Sequence, residues 1–273
     1  MKRSSFRLLT LSLMVVALLL LAACGGDTAA PGDDAQAGPA LDVELVEDGK
    51  FTFAMSGQYR PFNYYDESGE LTGFDVEMGN AISESLGLEP NPVTGDFDAL
   101  IAGLTSGRYD AIIGSMSPTP EREEQVDFTD IYYLSGAQLF VRNDSDISSI
   151  DDLEGANVGV TRGTTFEDYA REQEGIADVT TYPSDNQALV ELDTGRVDAV
   201  ITNRLLGLYQ IEEIGLEDLV TAGDVLFDDP AAIAVRKDTP ELLEAINAAL
   251  RAAQTDGTYA QISESWFGVD ISQ

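Results

Sequence analysis

Residues 115–123, SMSPTPERE, bring three hydroxyls and one guanidinium together within nine positions. Ser117 and Thr119 are residue types that cap a helix, Pro120 suits its first turn, and Arg122 falls within that turn. With Ser115 and Ser117 at a strand end and Arg122 just beyond, hydroxyls, backbone N–H groups and a cation converge. That arrangement suits a carboxylate, because free N–H groups and the helix dipole favour an anion and Arg grips it bidentately. The other use for Arg122 is to pair with Glu121, Glu123 or Glu124 on a solvated helix face. A second stretch, VTRGTTFED (160–168), sets Gly163 and the hydroxyls of Thr161, Thr164 and Thr165 between a strand and a helix. It offers donors at a helix N-terminus, as any capped helix does, and it is no phosphate loop because no Gly-Lys follows. Tyr59 in SGQYRPF and Phe97 in GDFDAL fall in loops after strands, where each serves either as a ligand platform or as core.

Covalent and metal chemistry are poorly served. The chain has no histidine and one cysteine, Cys24. That removes Ser-His-Asp and Cys-His machinery, His-based zinc sites and any internal disulfide. The acidic run DSDISSIDD (144–152) lacks the spacing and glycine of a calcium loop and reads as solvated. No cofactor and no metal are expected.

The elements that must position these residues alternate. KFTFAMS (50–56) reads as a strand. FDVEMGNAISESLGL (74–88) repeats its apolar residues with a helical period and closes on Gly87. FDALIAGLTSG (97–107) is a second helix, followed by the buried strand YDAIIGS. After about residue 150 the pattern restarts: NVGV (157–160) a strand, TTFEDYAREQ (164–173) and NQALVELDTG (186–195) helices, VDAVIT (197–202) a strand. The phrases SGRYDAIIGS (106–115) and TGRVDAVITN (194–203) are near echoes, in which a helix ends on Gly, the chain turns through Arg-x-Asp, and a buried strand follows. Either the motif merely recurs, as it does in α/β proteins, or two similar α/β lobes place Ser115 and Asn203 at matching strand ends. Ligands of open α/β sheets bind beyond the carboxyl ends of the strands, so two such lobes would hold one between them. The fold class is α/β, each lobe a mostly parallel sheet flanked by helices.

Length and composition agree with a globular chain: 273 residues, 44% hydrophobic and 23% charged. Forty-nine acids face fifteen bases, a net charge of −34, and only Lys2, Lys50 and Lys237 are lysines. Such a surface repels phosphate backbones, so nucleic acid is excluded as a partner. The acidity reflects either life in high salt, where self-repulsion is screened, or a GC-rich genome that favours Arg over Lys.

At the N-terminus, Lys2, Arg3 and Arg7 precede an apolar run over 8–21 that ends in Leu21-Ala22-Ala23-Cys24-Gly25. The run is short for a membrane span and suits a secretory signal. Its end resembles the lipobox of bacterial lipoproteins, which implies cleavage after residue 23 and a lipid on Cys24; an uncleaved anchor or a plain secretory signal are the other readings. Residues 24–49, rich in Gly, Ala, Pro and Asp, are expected to be a flexible tether. No later segment is long and apolar enough to span a membrane, so the globular part is expected outside the cell membrane, anchored to it.

Taken together, the stretches PFNYYDESGELTGFDVEMGNAI, DFDALIAGLTSGRYDAIIGSMSPTPEREEQVDFTD, DLEGANVGVTRGTT, GRVDAVITN and DGTYAQISESWFG resemble the extracellular solute-binding proteins of family 3, which serve ABC importers of polar amino acids. The resemblance runs from about Phe51 to Gly268. It implies a type II periplasmic-binding fold in which lobe 1 (50–137 with 229–273) and lobe 2 (138–228) close on a ligand. The hinge would be two strand crossings near Gln138–Val141 and Asp228–Ala232. It further implies that Tyr59 and Phe97 sandwich the ligand, that Ser115, Ser117 and Arg122 hold its carboxylate, and that Thr161, Thr164 and Thr165 close over it. The family usually accepts the α-ammonium on an aspartate at the position of Asn203, and commonly has another where Ser56 stands. Two negative charges are therefore expected to be missing, and Arg60 to add a positive one. That favours a neutral polar or acidic amino acid over lysine or arginine. The resemblance makes an ABC permease the partner and the protein a monomer without enzymatic activity. The rivals are a dehydratase for prephenate-like acids and a ligand-sensing module.

Overall fold

The structure is a computed structural model describing residues 43–213 and 215–272. The signal segment, Cys24 and the tether up to residue 42 lie outside the described residues. In chain order the elements are β1 (Lys50–Met55), β2 (Gln58–Tyr59), β3 (Asn63–Tyr65), β4 (Leu71–Thr72), α1 (Phe74–Ser85), β5 (Glu89–Thr94), α2 (Leu100–Thr105), β6 (Ala111–Met116), α3 (Pro120–Glu123) and β7 (Val126–Arg142). They continue with β8 (Asn157–Thr161), α4 (Thr165–Glu172), β9 (Asp178–Tyr182), α5 (Asp185–Asp193), β10 (Ala199–Asn203), α6 (Arg204–Glu213), β11 (Leu219–Arg236), α7 (Pro240–Asp256) and α8 (Thr258–Phe267). The helix expected over 97–107 begins as a 3-10 turn at Phe97–Ala99 and is α-helical only from Leu100.

Eight strands form one mixed sheet in the order β5-β1-β6-β11-β7-β10-β8-β9, and β2-β3-β4 form a small second sheet. At one end β5, β1 and β6 are parallel, and at the other β10, β8 and β9 are parallel. The two long strands β7 and β11, antiparallel to each other, join the ends. Strand β6 pairs with β11 from Ala232 onward, while β10 pairs with β7 over Ala137–Val141. Between these, Asp228, Asp229 and Pro230 pair only with Gly136, Ser135 and Leu134. This is a two-strand neck. Gln138–Val141, expected to cross here, already belong to the second half through β10. A proline in mid-strand normally breaks a ladder. Pro230 is tolerated because at the neck β11 has a neighbour on one side only.

The echo has a structural counterpart. Gly107 and Gly195 both adopt left-handed backbone (φ 72° and 74°), which spares them the Cβ clash another residue would suffer and turns each helix into its strand. Two residues after the Arg-x pair begins, an aspartate ties the new strand to the parallel one beside it. Asp110 N–H donates to Thr52 O at 2.7 Å and its carboxylate accepts from Thr52 N at 2.9 Å. Asp198 N–H donates to Asn157 O at 2.8 Å and its carboxylate accepts from Asn157 N at 2.8 Å. The other oxygen of Asp110 accepts from Val46 N at 2.8 Å, and Val43 packs on the core. Residues 43–49, expected to belong to the tether, are thus fixed against the first half.

Candidate functional site

Nine of the ten residues expected to touch a ligand line one cleft: Ser56, Tyr59, Phe97, Ser115, Ser117, Arg122, Thr161, Thr164 and Thr165. The tenth, Asn203, is fully buried behind it. The walls come from local capping chemistry at two strand-to-helix turns. Thr119 caps α3 and accepts from Arg122 N, and Thr164 caps α4 and accepts from Glu167 N. The threonine hydroxyl satisfies one of the N–H groups a helix start leaves unpaired. Thr164 itself lines the cleft, whereas from the α3 turn it is Ser117 and Arg122 that do so.

Arg122 is turned inward instead of pairing with its glutamate neighbours. Its Nη1 donates to Ser117 O at 2.7 Å, and its Nη2 reaches across the cleft to Gly163 O at 2.9 Å. The guanidinium carbon lies 5.7 Å from the Phe97 ring centroid. A guanidinium has five N–H donors, so three remain for a bound anion. Burial pulls its pKa down, and the charges of Asp229, Asp168 and Glu121 oppose that. Gly163 allows the halves to approach: a Cβ there would sit 2.9 Å from Asp98 Cβ, and its φ of 74° suits glycine.

Sequence reasoning missed two carboxylates in the lining, Asp185 and Asp229. Asp229 sits at the centre of the neck. It accepts from Ser117 Oγ at 2.6 Å, from Thr165 Oγ1 at 3.2 Å and from Asn203 Nδ2 at 3.3 Å. Asp185 is the first residue of α5 and accepts from Thr202 Oγ1 at 2.5 Å. Burial raises the pKa of both; hydrogen bonds from their hydroxyl neighbours, and for Asp229 the Arg122 charge, hold the rise in check. The Thr161 hydroxyl is buried without a well-formed hydrogen bond, although it lies close enough to Asp185 to favour that residue's charge. In the sequence, Asp185 follows the capping Ser184 and Asp229 stands in DDP, so both read as turn or cap residues. The one signal for Asp229 was an acid separated only by Pro230 from the apolar run AAIAV.

These carboxylates correct the expected charge balance. The carboxyl groups absent from positions 56 and 203 have counterparts in the lining at Asp229 and Asp185. Asn203 keeps a role at second hand: its amide donates to Asp229, and its oxygen accepts from Ser135 Oγ at 2.9 Å and Leu205 N at 3.0 Å. Arg60 adds nothing to the cleft lining. Its guanidinium lies over the rings of Tyr64 (4.8 Å) and Tyr209 (5.8 Å) instead.

The hydroxyls of Ser115 and Ser117 also differ from expectation. Ser115 spends its N–H on Tyr132 Oη (3.0 Å) and its hydroxyl proton on Asp75 (2.8 Å). Ser117 spends its hydroxyl proton on Asp229. Neither side chain has a proton left for a carboxylate, so both face the cleft as acceptors. No group of three or more His, Cys, Asp or Glu side chains among the described residues is arranged to hold a metal, and no described helix is long and apolar enough to cross a membrane.

A mixed α/β clamp with an ion-lined cleft between its halves is the architecture of a solute-binding protein. The chain belongs to the bacterial extracellular solute-binding proteins, family 3, matching that family over residues 51–269. It is 34% identical over 232 residues to the L-cystine-binding protein TcyJ of Escherichia coli K12, covering 84% of this chain and 87% of that one. It is 34% identical over 221 residues to ABC transporter arginine-binding protein 1 of the same strain, covering 80% and 90%. Among solved structures, an ancestral arginine-binding protein bound to arginine superposes with a TM-score of 0.76 at 38% identity, over 81% of this chain and 99% of that one. An ancestral amino acid-binding protein, a precursor of cyclohexadienyl dehydratase, superposes with a TM-score of 0.75 at 33% identity, over 80% and 96%. The similar proteins are binding proteins of amino-acid ABC transporters, and this chain is a binding protein and not an enzyme.

Proposed function

We propose that the protein is a lipid-anchored receptor that closes on an amino-acid zwitterion and delivers it, as a monomer, to an ABC permease. The observation that carries this reading is the presence of a guanidinium, Arg122, and a buried carboxyl, Asp229, in the lining of one cleft without a salt bridge between them. A buried charge is costly unless matched, and a zwitterion brings one group for each. Its α-carboxylate lies against the three unspent N–H donors of Arg122 and the helix start at Thr164. Its α-ammonium lies against Asp229 and Ser117 Oγ. Tyr59 and Phe97 pack the side chain, and Asp185 stands beside it. With the Asp185 carboxyl beside it, an acidic side chain is the least favoured, and a neutral polar or cationic one the most. This revises the preference expected from positions 56 and 203.

Lobe 1 comprises residues 50–137 and 229–273, and lobe 2 residues 138–228, with the neck as hinge. A ligand touching both lobes stabilises the closed state by its differential affinity for it. Several contacts already bridge the cleft, among them Arg122 to Gly163 and Arg162 to Asp98 at 3.8 Å.

A thermal-shift screen of amino acids and organic acids tests the reading, since a ligand that binds only the folded state raises the melting temperature. Amino acids with neutral or cationic side chains should give the largest shifts. Prephenate or another acid without an ammonium giving the largest shift would refute it. The anchor is tested separately: Cys24→Ser should abolish labelling by a fatty acid and release the protein from the membrane fraction.

A further inference from the structure

Ser115 is the only non-glycine among the described residues with positive φ, 55°. Such backbone is strained and persists only where its surroundings over-determine it. Here the surroundings are one buried carboxylate, Asp75 in the first turn of α1. Asp75 accepts from Tyr132 Oη at 2.6 Å, Ser115 Oγ at 2.8 Å and Asn63 Nδ2 at 2.7 Å. Tyr132 Oη in turn accepts the Ser115 N–H. With its Nδ2 bound to Asp75, Asn63 must turn its oxygen outward, where it accepts from Ser56 Oγ at 2.9 Å and Gly57 N at 2.9 Å. Two of the serines that line the cleft thus have their hydroxyl protons directed inward by the same carboxylate, Ser115 directly and Ser56 through Asn63.

We propose that Asp75, which does not line the cleft, is a positioning residue that sets the hydrogen-bond polarity of the cleft floor, leaving Ser115 and Ser56 to present only lone pairs to a ligand's ammonium. The inference rests on the amino-acid reading above. It follows from donor counting: an ionised carboxylate can only accept, so every group bonded to it must give a proton. Protonated Asp75 reverses this. It gains a donor that Ser115 Oγ can accept, and Ser115 can then turn its own proton toward the cleft, where an ammonium needs an acceptor.

The reversal falls in an accessible range. Burial raises the Asp75 pKa to about 6, against the hydrogen bonds from Tyr132, Ser115 and Asn63. The titratable groups that feel its charge are Tyr59, Tyr132, Tyr133 and Tyr259, all uncharged at neutral pH. The amino acid's own ammonium and carboxylate do not titrate between pH 5 and 8.

Calorimetry on the full-length protein decides the matter, using L-glutamine and L-arginine with their des-amino counterparts, 4-carbamoylbutanoate and 5-guanidinopentanoate. In the wild type the ratio of affinities, amino acid over des-amino acid, should fall about tenfold as the pH drops from 7.5 to 5, the worth of one hydrogen bond to a charged group. Asp75→Asn keeps an acceptor for Ser115 but cannot titrate, so the step near pH 6 should vanish. What pH dependence remains belongs to Asp185 and Asp229. Ser115→Gly removes Oγ while relieving the backbone strain, and should lower the ratio at pH 7.5 without a folding defect. An unchanged pH profile in Asp75→Asn, or an unchanged ratio in Ser115→Gly, overturns the proposal while leaving the amino-acid reading intact. If neither amino acid binds the wild type at pH 7.5, the reading of the site fails and takes this inference with it.

Discussion

At the end of β6, Ser115 gives its N–H and hydroxyl protons to groups behind the cleft, Tyr132 and Asp75; at the end of β10, Asn203 turns its amide toward the cleft, to Asp229. The two strands are near copies in sequence and are clipped to their neighbours in the same way. Their tips nonetheless serve different carboxylates. Asp75 lies beneath the cleft and acts through the groups bonded to it, whereas Asp229 lies in the cleft and offers its own charge. The comparison teaches that a neutral residue at a strand end need not mean a neutral site. Asn203 does not remove the negative charge; it supports one carried by the neck.

The largest effect should come from Arg122, which lines the cleft beside Ser117 and reaches across it to Gly163. Arg122→Ala should cost about 2–5 kcal/mol of amino-acid binding, since a buried charge pair is broken and its partner left unmatched. Arg122→Lys should lose less, yet still bind weakly, because the planar fork is gone. Calorimetry showing near-native affinity in the alanine variant would return Arg122 to a solvated role.

Asp229→Asn tests which tip carries the charge. It should cost about 1.5–3 kcal/mol for an amino acid, the range for hydrogen bonds to charged groups, and leave a des-amino acid unaffected or slightly improved. Equal losses for both ligands would show that Asp229 does not meet the ammonium.

Asn203→Asp makes the tips more alike by placing a second carboxylate against Asp229. Two adjoining carboxylates cannot both ionise cheaply, so the pair's upper pKa rises. A carboxyl whose folded pKa is raised binds protons more readily in the folded state, so its contribution to stability is largest at low pH and falls as pH climbs toward the folded pKa. The variant should lose more melting temperature between about pH 5 and pH 7 than the wild type does, and it should shift preference toward cationic ligands. A melting profile parallel to the wild type would show that the two side chains do not interact.

The smallest effect compares the two clips. Asp110 is fully buried and accepts from two backbone N–H groups, those of Val46 and Thr52, while half-buried Asp198 accepts from one, that of Asn157, and from the same residue's side-chain amide at a longer 3.3 Å. Asp110→Asn should therefore destabilise the fold by about 1 kcal/mol more than Asp198→Asn, roughly one hydrogen bond, read by denaturant unfolding.

Much of the cleft was legible because its signals are local. Caps at Thr119 and Thr164, glycine turns at Gly107 and Gly195, and the apolar runs of β6 and β10 each declare themselves within a few residues. Arg122, Ser117 and the threonines could be placed from them. Asp229 and Asp185 could not, because their roles arise from packing between segments far apart in the chain: Asp229 meets Ser117 across 112 positions. The direction of the serine hydroxyls was hidden for the same reason. Ser115 looks like a donor until Asp75, forty residues earlier, is seen to hold its proton. The length of β7 and β11 was obscured by Pro230, which only the one-sided neck can accommodate.

That neck also bears on release. Its central residue, Asp229, keeps its geometry by bonds to Ser117 at one end of the molecule and to Thr165 and Asn203 at the other. Prying the ends apart must break one set or the other, and the carboxyl then loses the neighbours that aim it. A permease that levers the clamp open would thereby disarm the ammonium seat by the same motion. Unloading would need mechanical work on two strands and no chemical step at the ligand.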